Sequence, residues 1–457
     1  MASTYLTRSI SSGSDLTKWT WSCWVKRTDL VGGGNNYQRL ISNEHSGDNN
    51  KAWYIRFQNS TQFHGWSENG AFEFTTNAKY RDVNGWYHLV VKYDSTQSTQ
   101  SDRVKVYVNG EEPSMSAITY PSLNQVCNFM NSDVGYVDIG YYRQGGGEYF
   151  HGLMSHMHFT AGYAYDASTF GQADANGVWK IIAEPSVTYG SLGFFILKDG
   201  NSVTDQSGEG NNFTVGGGTL TNTEDCPSNV FATLNPLDKG YTGTMNTSDG
   251  NLTMDSATGS GDYGMRSTLA ENSGKYYWET KLPNYGGGLG GNTMMVMDAS
   301  IQLQINMQGG TPRAGSWGIQ RYSDSATNLF EDGTFISQNT AMWGGFTTSD
   351  IIGIALDCDN GKIYFSKNGV FKDRNGNTGD PANGTNPTFS GLDTSKFYTF
   401  YTENRANVDN GTTVNFGNGY FQTTAVASAG TNASGIGIFE YDVPTGYTAL
   451  STKGLNL

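Results

Sequence analysis

The chain has 457 residues and carries 28 basic against 42 acidic side chains, a net charge of −14. That balance disfavours non-specific binding to nucleic acid or to anionic membranes, because phosphates and anionic headgroups reward a basic surface. Only 15% of residues are charged, while 60 are Gly and the aromatics number 10 Trp, 27 Tyr and 23 Phe, a composition poor in helix formers and rich in strand and turn formers, so the expectation is an all-β chain. At roughly 150 residues per domain, with β domains often larger, the length allows two or three domains.

The N-terminal residues are polar and lack the apolar core of a signal peptide, and no run of apolar residues is long enough to span a bilayer. The expectation is a soluble chain made without secretion or membrane insertion. In chain order, Trp19, Trp21, Cys23 and Val25 alternate with Thr20, Ser22, Trp24 and Lys26, the period of a β-strand. Trp24 on the otherwise polar side implies that this side is covered too. Further strand patterns occupy 52–57, 86–93, 103–109, 137–142 and 150–159. Asp166 is placed to cap one helical turn reaching Phe170. From 201 to 262 Gly, Asn, Ser and Thr dominate, which reads as a connecting region with one or two strands. A second strand-rich block, 263–457, has runs at 275–279, 351–356, 362–365, 397–401 and 413–416, with Asn360-Gly361 and Asn368-Gly369 as hairpin turns around 362–366. Cys23, Cys127, Cys226 and Cys358 lie far apart and predict free thiols.

Residues 1–200 resemble laminin-G/concanavalin A-like jelly rolls. The likeness rests on Gly85-Trp86-Tyr87-His88-Leu89-Val90-Val91, on Arg103-Val104-Lys105-Val106-Tyr107-Val108-Asn109-Gly110, on Tyr149-Phe150-His151-Gly152-Leu153-Met154, and on the Gly/Asn loop from Asp205 to Asn211. Residues 263–457 resemble SPRY domains, on Gly274 to Glu279 with its Trp-Glu pair, Ile352-Gly353-Ile354-Ala355-Leu356-Asp357 and Val414-Asn415-Phe416-Gly417. The order of the two blocks and the ending Val443-Pro444-Thr445-Gly446-Tyr447-Thr448-Ala449-Leu450 are similar to structural proteins of tailed bacteriophages, marine ones especially. These resemblances imply two tandem antiparallel β-sandwiches. They also imply a virion surface location on capsid or tail, as head decoration or tail fibre component, with other virion proteins as partners, a homo-oligomeric state and a SPRY-like face for protein attachment. A host-binding tail adhesin and a polysaccharide depolymerase are the alternatives.

For a depolymerase the chemistry would need two carboxylates about 5–10 Å apart across a cleft. Glu440-Tyr441-Asp442 begins the Glu-x-Asp pattern of concanavalin-like glucanases but continues into Pro444, and Glu44, Asp48, Glu68 and Glu73 are the other acidic candidates. No nucleophile elbow or phosphate loop is present, so the chain reads as a non-enzyme with no cofactor. Asp357-Cys358-Asp359-Asn360-Gly361 opens like a calcium loop but has Asn368 where a bidentate Glu belongs. A structural calcium at Asp48, Asp133 or Asp138 has no support in spacing. His156 and His158, two residues apart, lack a third metal ligand, and Gly286 to Gly291 match a dinucleotide fingerprint only by letter. The remaining signal is aromatic. Of Tyr37, Trp66, Tyr141, Tyr142, Tyr163, Trp317, Tyr322 and Trp343 in loop-rich sequence, Trp66, Tyr141, Tyr142, Trp317, Tyr322 and Trp343 are the candidate ligand-binding residues, since rings of this kind stack on sugars or anchor protein interfaces.

Overall fold

The structure is a computed structural model and describes residues 4–10, 13–14, 16–30, 37–44, 52–58, 61–67, 70–131, 135–143, 148–198, 203–240, 245–255, 262–283, 292–303, 314–405 and 411–456. The chain is all-β: among the described residues there is no α-helix, only single 3₁₀ turns at Gln100–Asp102, Ala167–Thr169 and Gly454–Asn456. Its contacts divide it into two units, Met1–Asn222 with Cys226–Ser228, and Thr223–Asp225 with Asn229–Leu457.

In the first unit an eight-stranded sheet has the order Thr214–Gly217, Tyr5–Ile10, Gly135–Ile139, Gln38–Glu44, Trp53–Gln58, Gln62–Ser67, Glu73–Lys79, Met115–Thr119. A five-stranded sheet has the order Phe194–Ile196, Gly152–Ala161, Lys18–Arg27, Trp86–Asp94, Val104–Val108. Alternate residues of both sheets close one core, in which Trp19, Trp21, Cys23 and Val25 join Ile41, Trp53, Ile55, Phe57, Phe63 and Phe74. Trp19 is fully buried, with Phe129 and Tyr93 stacked on it at 4.7 and 5.4 Å between centroids.

The other side of Lys18–Arg27 is covered as well, for Thr20, Ser22, Trp24 and Lys26 are all buried. A two-stranded ribbon, Gly171–Ala173 with Trp179–Ile181, sets the Trp179 indole over His88 and donates its Nε1 proton to His88 Nδ1 at 2.9 Å. Nδ1 therefore accepts, and the imidazole proton sits on Nε2, 2.9 Å from Ser22 Oγ. Burial pushes this His down to about 3, so it packs as a neutral ring. Asn109 and Gly110 have φ of 50° and 84° and turn the chain from Val108 to Glu111. Asp166 departs from the capping role expected of it, because its carboxylate takes Lys92 Nζ and the Tyr107 hydroxyl, each at 2.8 Å, and makes no cap hydrogen bond.

The second unit has a seven-stranded sheet in the order Leu234–Lys239, Asp262–Ser267, Tyr398–Arg405, Thr293–Asp298, Ser316–Ser323, Ala326–Glu331, Thr334–Asn339. Its nine-stranded partner is built on Thr412–Asn415, Lys275–Lys281, Ile351–Asp357 and Lys362–Lys367. Trp278, Ile352, Ile354 and Phe365 of the second sheet share a core with Met294, Ile319, Leu329 and Phe400 of the first. Asn368 and Gly369, at φ 51° and 78°, turn Lys362–Lys367 into Val370–Lys372. Within 201–262, Thr214–Gly217 pairs with Tyr5–Ile10, while Leu234–Lys239 and Thr253–Met254 enter sheets of the second unit. All four cysteines are free.

Gly152 enters its strand at a point of backbone contact, since a Cβ there would lie 2.1 Å from the Lys26 carbonyl oxygen and under 3 Å from the Phe150 ring. Gly152→Ala is expected to cost the first unit about 1–3 kcal/mol, read as a lower urea midpoint; an unchanged midpoint would show that the strand entry has slack.

Candidate functional site

The alternation that sends Ile41, Ile55, Phe63 and Phe74 into the first core sends Ser42, Tyr54, Arg56, His64 and Trp66 to the outer face of the eight-stranded sheet. Register places Ser42, Tyr54, Trp66 and Glu73 in one cross-strand row and Arg39, Arg56, His64 and Thr75 in the next. Trp66 and Tyr54 stack at 5.3 Å, and Tyr142 stands edge-on to Tyr54 at 6.4 Å. The Arg39 guanidinium lies 3.7 Å from the Tyr54 centroid and 4.1 Å from that of Tyr142, and Arg56 lies 3.7 Å from Tyr37 and 4.5 Å from Tyr54. Such contacts hold rings and cations in fixed planes. Glu148 accepts from Arg39 Nε at 2.5 Å. Burial first, and then Arg56 and Arg39, push His64 down to about 3, which leaves it neutral.

Next to this group, Asp138 receives both Nε and Nη2 of Arg143, at 3.0 and 2.8 Å, and Arg143 also reaches Thr7 Oγ1. Tyr141 stacks between Tyr5 and Tyr149, at 4.4 and 4.8 Å, and its carbonyl accepts from Ser42. The structure thus brings Trp66 and Tyr142 together through Tyr54, with Tyr141 one residue away on a neighbouring stack. Sequence reasoning missed Arg39, Tyr54, Arg56, His64 and Glu148. The signal for the middle three was in the strand period, because Tyr54, Arg56, His64 and Trp66 all fall on the polar parity of adjacent strands; Glu148 is placed only by the fold.

The candidates of the second unit are dispersed. Trp317 packs against the core and stands edge-on to Tyr398 at 5.9 Å, Trp343 donates Nε1 to the Val370 carbonyl at 3.2 Å, and Tyr322 is half-buried on Ser316–Ser323. No ring contact among the described residues joins these three.

The acidic candidates have local duties. Glu440 accepts from the Ala427 N–H, Asp442 from Thr431, and Asp357 from Asn360 and Lys275. Asp138 is occupied by Arg143. Asp48, Glu68, Asp133, the side chain of Glu44 and the Gly286 to Gly291 run lie outside the described residues. His156 sits at a bulge with φ 48° and bonds Ser155, while His158 bonds the Tyr189 hydroxyl, so the strand alternation that would have aligned the two imidazoles is broken.

Residues 2–162 match the model of a laminin G family described as the concanavalin A-like lectin/glucanases superfamily. No curated protein matches the sequence. Similar solved structures include the SPRY domain of human HERC1, at 17% identity and TM-score 0.29 over 40% of this chain and 96% of that one. The TRIM65 PSpry domain follows at 13% identity and TM-score 0.27 over 40% and 91%. A proposed carbohydrate binding protein from Bacteroides ovatus has 15% identity and TM-score 0.27 over 41% and 60%.

A fully buried acid of the second unit is Glu279, which accepts from the Glu440 and Tyr441 N–H groups at 2.9 and 2.8 Å, from the Tyr277 hydroxyl at 3.1 Å and from Asn415. It anchors the C-terminal segment to strand Lys275–Lys281. Burial pushes its carboxyl up to about 7 against those donors. Between pH 4.5 and 7 the folded form therefore holds a proton that the unfolded form has lost, and stability falls as pH rises through that window. Compared with Glu279→Gln, whose side chain does not titrate, the native protein is expected to lose up to roughly 3 kcal/mol of its advantage between pH 4.5 and pH 8, measured by urea unfolding; a pH-independent difference would refute the assignment.

Proposed function

We propose that this chain is a non-enzymatic binding protein whose outer eight-stranded face takes a glycan. The observation that carries the reading is the Trp66, Tyr54 and Tyr142 cluster held in plane by Arg39 and Arg56. Rings on a sheet face, outside the core and partly exposed, offer flat apolar surface to the C–H faces of a sugar, while the exposed Glu73 in the same row as Trp66 can meet its hydroxyls. The match of residues 2–162 to a lectin-containing superfamily supports the same reading. In this proposal the protein stands on the surface of a phage particle, on head or tail, as a homo-oligomer. Its second unit grips neighbouring virion proteins and its first unit meets host-surface polysaccharide. The net charge of −14 suits that place, since like-charged particles stay dispersed.

On a glycan array, Trp66→Ala and Tyr142→Ala are each expected to weaken retained binding by about tenfold, the loss of one good ring contact. Trp343→Ala is expected to leave it unchanged, with thermal melting tracking fold integrity. Retained glycan binding that is indifferent to Trp66 and Tyr142 would remove this face from consideration.

A further inference from the structure

Arg39 and Arg56 are directly opposite each other on neighbouring antiparallel strands, an arrangement that ordinarily destabilises a sheet because like charges face one another. Both are nearly buried, at 3% and 7% exposure, and His64, opposite Arg56 on the next strand, is at 4%. Glu148 compensates Arg39. Among the described residues Arg56 is hydrogen-bonded to no carboxylate, Glu148 acting on it only at longer range, and its side-chain partner is the Gln58 amide oxygen, at 3.4 Å. Among the described residues, Arg39 Nη1, Arg56 Nε and His64 Nδ1 find no hydrogen-bond partner. Three buried polar atoms without partners along one row are costly unless something else meets them. Among the described residues, Glu73 is a further acid on this part of the face; it lies 4.0 Å from His64 Nε2 and is 44% exposed, on the far side of His64 from Arg39.

We infer that the row Arg39, Arg56, His64 is an anion subsite and that the glycans taken by this face carry a carboxylate, sulfate or phosphate group. This rests on the glycan-binding reading above. The guanidinium edges would meet the anionic oxygens with charge-assisted hydrogen bonds, while the rings of Tyr54 and Trp66 meet the adjoining sugar. A polyanion gains nothing from the molecule as a whole, whose charge of −14 repels it, so preference for an acidic polymer has to come from a local site.

The test uses the full chain and matched probes: polygalacturonate against its methyl ester, and dextran sulfate against dextran, with inorganic sulfate alone as a separate arm. The charged member of at least one pair is expected to bind about tenfold tighter than its neutral counterpart, the effect of one charge-assisted contact. Arg56→Gln should abolish that preference, Arg56→Lys should restore part of it, and Glu73→Gln should strengthen binding of the charged member, with melting curves excluding unfolding as the cause. Equal binding of charged and neutral members, or a preference that survives Arg56→Gln, overturns the anion subsite and leaves glycan binding standing. Saturable binding of inorganic sulfate with no gain for the sulfated polymer assigns the row to a free anion and overturns the glycan inference. Retention of no glycan of either kind defeats the functional reading and this inference with it.

Discussion

The core between the two sheets of the first unit is the constraint on which the outer face depends. Trp19, Trp21, Trp53, Ile55, Phe57 and Phe63 are buried to within 1% of complete exclusion from solvent. A one-residue slip in any of their strands would send that apolar set to the surface. The same period dictates that Tyr54, Arg56, His64 and Trp66 emerge on the opposite side, in register across two strands. The outer face proposed to bind is thus a geometric consequence of packing the core, and its rings and guanidiniums are carried on the strands of the sheet. A site built on strands holds its planes more closely than one built on loops.

Polar burial does a comparable job in the second unit through Glu279. Its carboxylate gathers backbone N–H groups from Glu440 and Tyr441 together with Tyr277 and Asn415, tying a segment far along the chain to a central strand. A Trp-Glu pair in sequence is a weak mark, yet here the Trp278 ring enters the core while the neighbouring Glu279 faces the opposite side of the strand and accepts from the Tyr277 hydroxyl. The carboxylates Asp357, Asp373 and Asp442 likewise accept hydrogen bonds within their own turns.

The outer face of the first unit sets two chemistries side by side. Trp66 and Tyr54 offer apolar planes, and the next row offers cations whose hydrogen-bonding capacity the protein leaves incomplete.

Strand identity was legible in the residues themselves. The alternation around Trp19 and Trp21, the turns at Asn109-Gly110 and Asn368-Gly369 and the close approach at Gly152 follow from local periodicity and from backbone conformations that few side chains tolerate. Even the covering of the outer side of Lys18–Arg27 could be read from Trp24, though its cover, Trp179, could not. Trp66 and Tyr142 were recognisable as exposed aromatics, but the same reading selected Trp317, Tyr322 and Trp343, which the fold leaves apart. Asp166 carried the letter of a helix cap and became an ion-pair and hydroxyl acceptor instead. Composition and period thus determine which residues lie on a strand and which way they face. Only the tertiary structure decides which distant segments are neighbours, and so which of the outward side chains meet, because Glu148 lies 109 residues beyond Arg39 in the chain and meets it only through the order of the sheet.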